Sequence, residues 1–294
     1  MSDLLLILVT GLGLGALYFL AASGLSLIYG LMGVLNFAHG SFMTAGAYAA
    51  WVTMDAMPSS TAVGLRLLVA VLVALVVGTL VGVVVEVVLI RPLYRHHIQQ
   101  VLVTVGLSLA SVAAVQGVFG SDPYPVAKPS FMRGTVDVLG ARLPVDRFVY
   151  LAVALLLLGG LLALLRYTRL GLVIRAGVEN RTMVEALGID VQRTFTIVFG
   201  LGGAVAALAG VLFSQYAGTV SPLQGGSLLI YAFIVVVIGG MGSLTGTAVA
   251  AFAVGLVQQL ANYYAASGIG DLSVVLLLAL VLLLRPSSLQ GAHA

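Results

Sequence analysis

Asn36 and His39, in the run Asn36-Phe37-Ala38-His39, are the first side chains able to do chemistry in this chain. They lie in a stretch from Leu4 to Met54 that holds no Asp, Glu, Lys or Arg. An imidazole can move protons near neutral pH or ligate a metal, but both uses need partners. No His, Cys or carboxylate stands at ligand spacing from His39, and the chain has no cysteine, so a metal centre of the usual donor sets is not indicated. Lys128, in PVAKPS, is the only lysine, so no G-x-x-x-x-G-K-[ST] phosphate loop exists. G-x-S-x-G and H-E-x-x-H are absent too, and no predicted span carries a pair of carboxylates. Two roles stay open for Asn36 and His39: a hydrogen bond between helices, or a polar lining for a path through the membrane.

The elements that position these residues follow from composition. Of 294 residues, 61% are hydrophobic and 8% charged, at a mean hydropathy of +1.17, whereas a soluble domain carries about 25% charged residues. An integral membrane protein is indicated. A net charge of +3 is too small for a nucleic-acid partner, and 36 glycines suit close helix packing in lipid. Stretches near the length of about 20 residues that spans the hydrocarbon are 4–29, 34–54, 62–90, 98–119, 148–166, 194–216, 228–244, 246–265 and 272–285. The expected fold is an all-α polytopic membrane protein, 1–294 forming one domain of eight to ten spans. No basic region precedes the first apolar run, which reads as a membrane helix rather than a cleavable signal.

Glycine interrupts two of these spans. GLMGVLNFAHG (30–40) has a counterpart in IGGMGSLTG (238–246), where GLMGVL and GGMGSL agree at four of six positions. In hydrocarbon a broken helix is tolerable only where protein or a water-filled cavity meets the freed backbone groups. Paired glycine-interrupted segments in two halves of a chain point to a transporter's central site. The expected path residues are therefore Gly33, Asn36, Phe37, His39 and Gly40 with Gly239, Gly240 and Gly242. Gly11 and Gly15 read as packing glycines.

Basic residues set the orientation. Arg166, Arg169, Arg175, Arg181 and Arg193 concentrate in one loop, and counting spans from it puts Arg91, Arg95, His96, His97 and Arg285 on the same, cytoplasmic side. The N-terminus then faces outward and the C-terminus inward. Loop 120–147 falls outside, its Lys128, Arg133, Arg142 and Arg147 offset by Asp122, Asp137 and Asp146, and its four prolines mark an extended connection. Within the cytoplasmic loop 167–193, Glu179–Leu187 can form two helical turns closed by Gly188, with Val178, Met183, Ala186 and Leu187 on one face. So short a helix needs support, from its own spans or from the groove of a cytoplasmic partner. Glu86 and Arg91 read as an ion pair at a helix end, and no acidic residue is expected at mid-membrane, which argues against proton coupling.

GLSLIYGLMGVLNFAHGSFMTAGAY (24–48) closely resembles the first conserved block of permeases from branched-chain amino-acid ABC importers. RPLYRHHIQQVLVTVGLSL (91–109), RAGVENRTMVEALGIDVQR (175–193), VVIGGMGSLTGTAVAA (236–251) and RPSSLQG (285–291) resemble later blocks in order and spacing. The resemblance implies a permease subunit in a bacterial or archaeal cytoplasmic membrane. It implies a second related permease, two ATP-binding subunits and an external solute-binding protein as partners. Mg-ATP would sit on the ATP-binding subunits, with no cofactor on this chain. It also implies that loop 175–193 is a coupling helix for an ATPase subunit, so Arg175, Glu179, Met183, Glu185, Ala186, Leu187 and Gly188 are its expected contacts. Branched-chain amino acids are the expected cargo, with urea, short amides or other amino acids as alternatives within the superfamily. A passive channel for small neutral solutes is the competing class, and an intramembrane enzyme built on His39 a third.

Overall fold

The computed structural model describes residues 2–94, 96–179, 183–184, 188–265 and 268–284. Arg95, Arg181, Arg285 and the terminal RPSSLQG block lie outside the described residues, as do Glu185, Ala186 and Leu187. Ten α-helices are present among them: α1 Ser2–Met32, α2 His39–Ala56, α3 Val63–Val85, α4 His97–Phe119, α5 Val145–Tyr167, α6 Arg169–Glu179, α7 Val191–Ala217, α8 Gln224–Gly239, α9 Leu244–Tyr264 and α10 Ile269–Leu284. Each of the nine predicted spans coincides with one helix; α6 is the addition. Six of the helices are long and apolar enough to cross a membrane, α3 counting through a π turn (Glu86–Ile90) and a 3-10 turn (Arg91–Leu93).

The packing inverts the pattern of a water-soluble protein. On α3, Ala70, Ala74, Gly78 and Gly82 recur every four residues and are buried, while Leu68, Leu72, Val76 and Leu80 are exposed. Lipid solvates leucine as well as a neighbouring helix does, so the small stripe, which lets backbones approach, is the one that turns inward. A side chain on Gly78 would strike Gly203 and Ala207 of α7, and one on Gly82 would lie 2.5 Å from the Phe199 carbonyl. Gly15 of α1 likewise lies against Ala251 and Phe252 of α9. Helices α1 and α7 form the centre, with 61% and 72% of their most apolar windows buried, against 6% for α4, which sits at the rim.

Loop 120–144 is not featureless. β2 (Thr135–Val138) and β3 (Ala141–Pro144) make a hairpin closed by Leu139 (φ 54°) and Gly140 (φ 80°), the two left-handed positions of a two-residue turn. Lys128 Nζ binds Asp146 at 2.6 Å and ties this loop to the start of α5. β1 (Tyr124–Pro125) pairs with β4 (Thr219–Val220), so the ends of α4 and α7 share one face of the molecule. The opposite face carries the end of α1, the end of α3 and helix α6.

Candidate functional site

Helix α1 ends at Met32, and the chain returns inward before α2 begins. His39, fully buried, donates from Nε2 to the Ala21 carbonyl at 3.1 Å. Ala21 precedes the end of α1 by eleven residues, about 17 Å at 1.5 Å per residue. Residues 33–38 are non-helical and make that return, with Gly33 at φ 64° supplying the first reversal. Asn36 is fully buried and closes the turn that leads into the new helix: its Oδ1 accepts from the Ala38 amide at 3.0 Å and its carbonyl from the His39 amide at 3.2 Å. Phe37 packs on Phe233 of α8 with ring centroids 4.9 Å apart. Asn36 Nδ2 and His39 Nδ1 have no hydrogen-bond partner among the described residues.

The second short helix starts inside from the other face. Gln224 Nε2 donates to the Gly210 carbonyl at 2.9 Å, and Gly210 lies seven residues before the end of α7, about 10 Å. Gly225 then meets Gly40. A Cβ on Gly40 would stand 2.6 Å from the Gly225 carbonyl oxygen, and the Gly225 amide donates to Thr44 Oγ1 at 3.1 Å. The N-termini of α2 and α8 therefore abut head to head within the molecule, and the helices run outward to opposite faces. Each N-terminus carries about half a positive charge in partial form, with no charged side chain beside it to cancel the field. The field at such a place favours an anionic or strongly dipolar group over a free cation.

The glycine breaks meet elsewhere. Gly30 and Gly242 touch at the end of α1, where a Cβ on Gly30 would lie 2.9 Å from the Gly242 Cα. Gly240 (φ 89°) and Gly242 (φ 86°) carry the turn between α8 and α9, and Gly239 packs on Gly246 and Thr247. Of the expected path residues, Asn36, Phe37, His39 and Gly40 thus gather at the helix junction, and Gly239, Gly240 and Gly242 at the α6 face. Sequence reasoning missed Thr44, Gln224 and Gly225; the signal was Gln-Gly-Gly opening an apolar run. It also missed a polar network in which Tyr18 donates to Gln258 (2.6 Å), while Gln258 (2.7 Å) and Tyr231 (2.8 Å) donate to Asp271.

At the α6 face, Thr168 caps α6 through the Gly171 amide at 3.1 Å. Leu170, Val173 and Ile174 turn toward the helix bundle and Leu172 away from it, while Arg175 is exposed at the edge of α6. An amphipathic helix thus spans Arg169–Glu179; most of the expected helix Glu179–Leu187 lies outside the described residues. Of the remaining expected coupling contacts, Met183 is exposed and Gly188 has φ 78°. A cavity of about 230 Å³ lies between α6, the end of α5 and the Gly30–Gly242 contact, with Arg175 in its wall. Nearby, fully buried Glu86 takes a two-pronged grip from Arg91 (3.2 and 3.1 Å) and accepts from Tyr94 and from Thr196 (2.8 Å), pinning α3 to α7.

The chain matches the family described as branched-chain amino acid transport system / permease component over residues 7–284. It is 32% identical to the high-affinity branched-chain amino acid transport system permease protein LivH of Escherichia coli K12, covering 96% of this chain and 93% of that one. The corresponding permease protein BraD of Pseudomonas aeruginosa is 30% identical, over 97% and 94% of the two chains. A probable LivH of Methanocaldococcus jannaschii is 28% identical, over 92% and 88%. No solved structure matches.

Proposed function

Because the chain belongs to the family of permease components of branched-chain amino acid transport systems, we propose that it forms the path for branched-chain amino acids in an ATP-driven importer. The observation that carries this reading is the head-to-head meeting of α2 and α8 inside the molecule. Half-helices whose N-termini converge offer their field to a substrate carboxylate, and no charged group there would hold the substrate too tightly to leave. Asn36 and His39 act as the posts that fix α2 in place, while Phe37 and Phe233 form an apolar wall beside it.

The α6 face is taken as cytoplasmic because Arg91, Arg166, Arg169, Arg175 and Arg193 cluster there. The N-terminus is then external, and the protein is multi-pass in a bacterial or archaeal cytoplasmic membrane. With no phosphate loop in the chain, hydrolysis belongs to two cytoplasmic ATP-binding subunits carrying Mg-ATP. A second related permease completes the path, and an external binding protein delivers the solute. Loop 167–193, with Arg175, Glu179, Met183, Glu185, Ala186, Leu187 and Gly188, is the docking segment for the ATPase. The chain itself is not an enzyme.

The test is uptake of labelled leucine into proteoliposomes holding the permeases, the ATP-binding subunits and ATP inside, with binding protein added outside. Uptake that needs both ATP and binding protein supports the reading. Downhill leucine or urea flux through this chain alone, without nucleotide, would replace it with a channel.

A further inference from the structure

The cavity beside α6 has walls of two kinds. Leu27, Leu165, Ile174 and Leu244 make an aliphatic lining, and Arg175 brings a charged group to it, while the buried Ser26 hydroxyl in the wall accepts from Thr247 at 3.0 Å. Arg175 Nε donates to the Gly171 carbonyl of its own helix at 3.4 Å, and among the described side chains no carboxylate pairs with it. Across the cavity α1 ends, and the carbonyls of Gly30, Leu31 and Met32 accept no backbone amide. A helix C-terminus carries partial negative charge. The cavity therefore offers a guanidinium for an anion, a negative helix end for a cation, and aliphatic surface between them. About 230 Å³ lies below the roughly 300–1,000 Å³ of sites for drug-sized ligands, which suits a single small metabolite.

We propose that this cavity binds a zwitterionic amino acid with a branched aliphatic side chain, entering from the cytoplasm, and that its occupancy slows import. The proposal rests on the orientation and substrate class given above. The carboxylate meets Arg175, the ammonium group meets the end of α1, and the side chain lies among the leucines. An occupant that touches α1, α5, α6 and the Gly30–Gly242 contact at once stabilises the arrangement in which they meet. Accumulated product then holds the docking segment and the glycine turn together.

The experiment is equilibrium binding of labelled leucine to the purified permease–ATPase complex, prepared without binding protein or nucleotide. Saturable binding is expected, and isovalerate or isoamylamine, each with one charged end, should compete far less well than leucine. Arg175→Gln should weaken binding about tenfold or more, the scale of one lost charge-assisted contact. Leu165→Phe fills the cavity from α5 and should weaken it comparably, with both variants checked for retained ATPase subunits. Leucine preloaded inside vesicles should slow wild-type uptake and act less on Leu165→Phe. Absence of saturable binding, binding unchanged in both variants, or a tightly held lipid that leucine does not displace overturns the proposal. If ATP-driven leucine uptake works while binding is absent, the cavity proposal fails alone. If uptake fails while binding stands, the importer reading is what fails.

Discussion

Gly40→Ala is the perturbation that bears most directly on the helix junction. The added methyl would lie 2.6 Å from the Gly225 carbonyl oxygen and 2.9 Å from its carbon, where ordinary contact begins at 3.4 Å. Both are backbone atoms that no rotamer change can move. The helices must part by about 0.8 Å, the difference of those two distances, and the Gly225–Thr44 hydrogen bond lengthens with them. Overpacking of this kind costs about 1–3 kcal/mol. Fluorescence of Trp51, the only tryptophan, follows unfolding of detergent-solubilised protein, and vesicle uptake follows function. The expected result is a lower melting temperature and at least about a tenfold loss of uptake at unchanged membrane insertion, since separating the two helix ends weakens their joint field. Gly159→Ala, whose methyl meets nothing within 4 Å, is the control, expected within about 0.5 kcal/mol of wild type. Equal behaviour of the two variants would refute the idea that α2 and α8 meet this closely.

Thr44→Val keeps the side-chain shape but removes the acceptor for the Gly225 amide, so stability should fall by about 1–3 kcal/mol in the same melting assay. Glu86→Gln leaves Arg91 without its carboxylate; breaking a buried pair costs about 3–5 kcal/mol, and the partial exposure of Arg91 brings the expected melting loss below that range. Pairing it with Arg91→Met should recover part of the loss. Leu187→Asp, in the docking segment, is expected to leave insertion intact while ATP hydrolysis no longer drives uptake; normal uptake would remove Leu187 from the docking surface.

Hydropathy was enough to locate the helices, because lipid selects long apolar runs whatever their neighbours. Depth was not legible. Residues 34–54 and 228–244 read as glycine-interrupted spans, but nothing in them says that α2 and α8 begin well inside the bundle, and what positions them is contact with distant residues such as Thr44 with Gly225, 181 positions apart. Asp271 escaped notice because the last span was drawn from Leu272, one residue too late to include it. Helix α6 was not legible, because the charges and Gly188 of the segment that follows it stand out. The apolar spacing Leu170, Val173, Ile174, which marks α6, is quieter among so many apolar residues.

The head-to-head junction also sets a clock on biogenesis. His39 is synthesised 185 residues before Gln224, an interval of about 10–40 s at 5–20 residues per second. Throughout it the start of α2 has no α8 to meet, while the Gly40 face and the Thr44 hydroxyl await Gly225. Only the α1 side of the junction, the His39–Ala21 bond, can form early. A nascent chain of this design has to be kept out of bulk lipid by the insertion machinery until its last third has emerged.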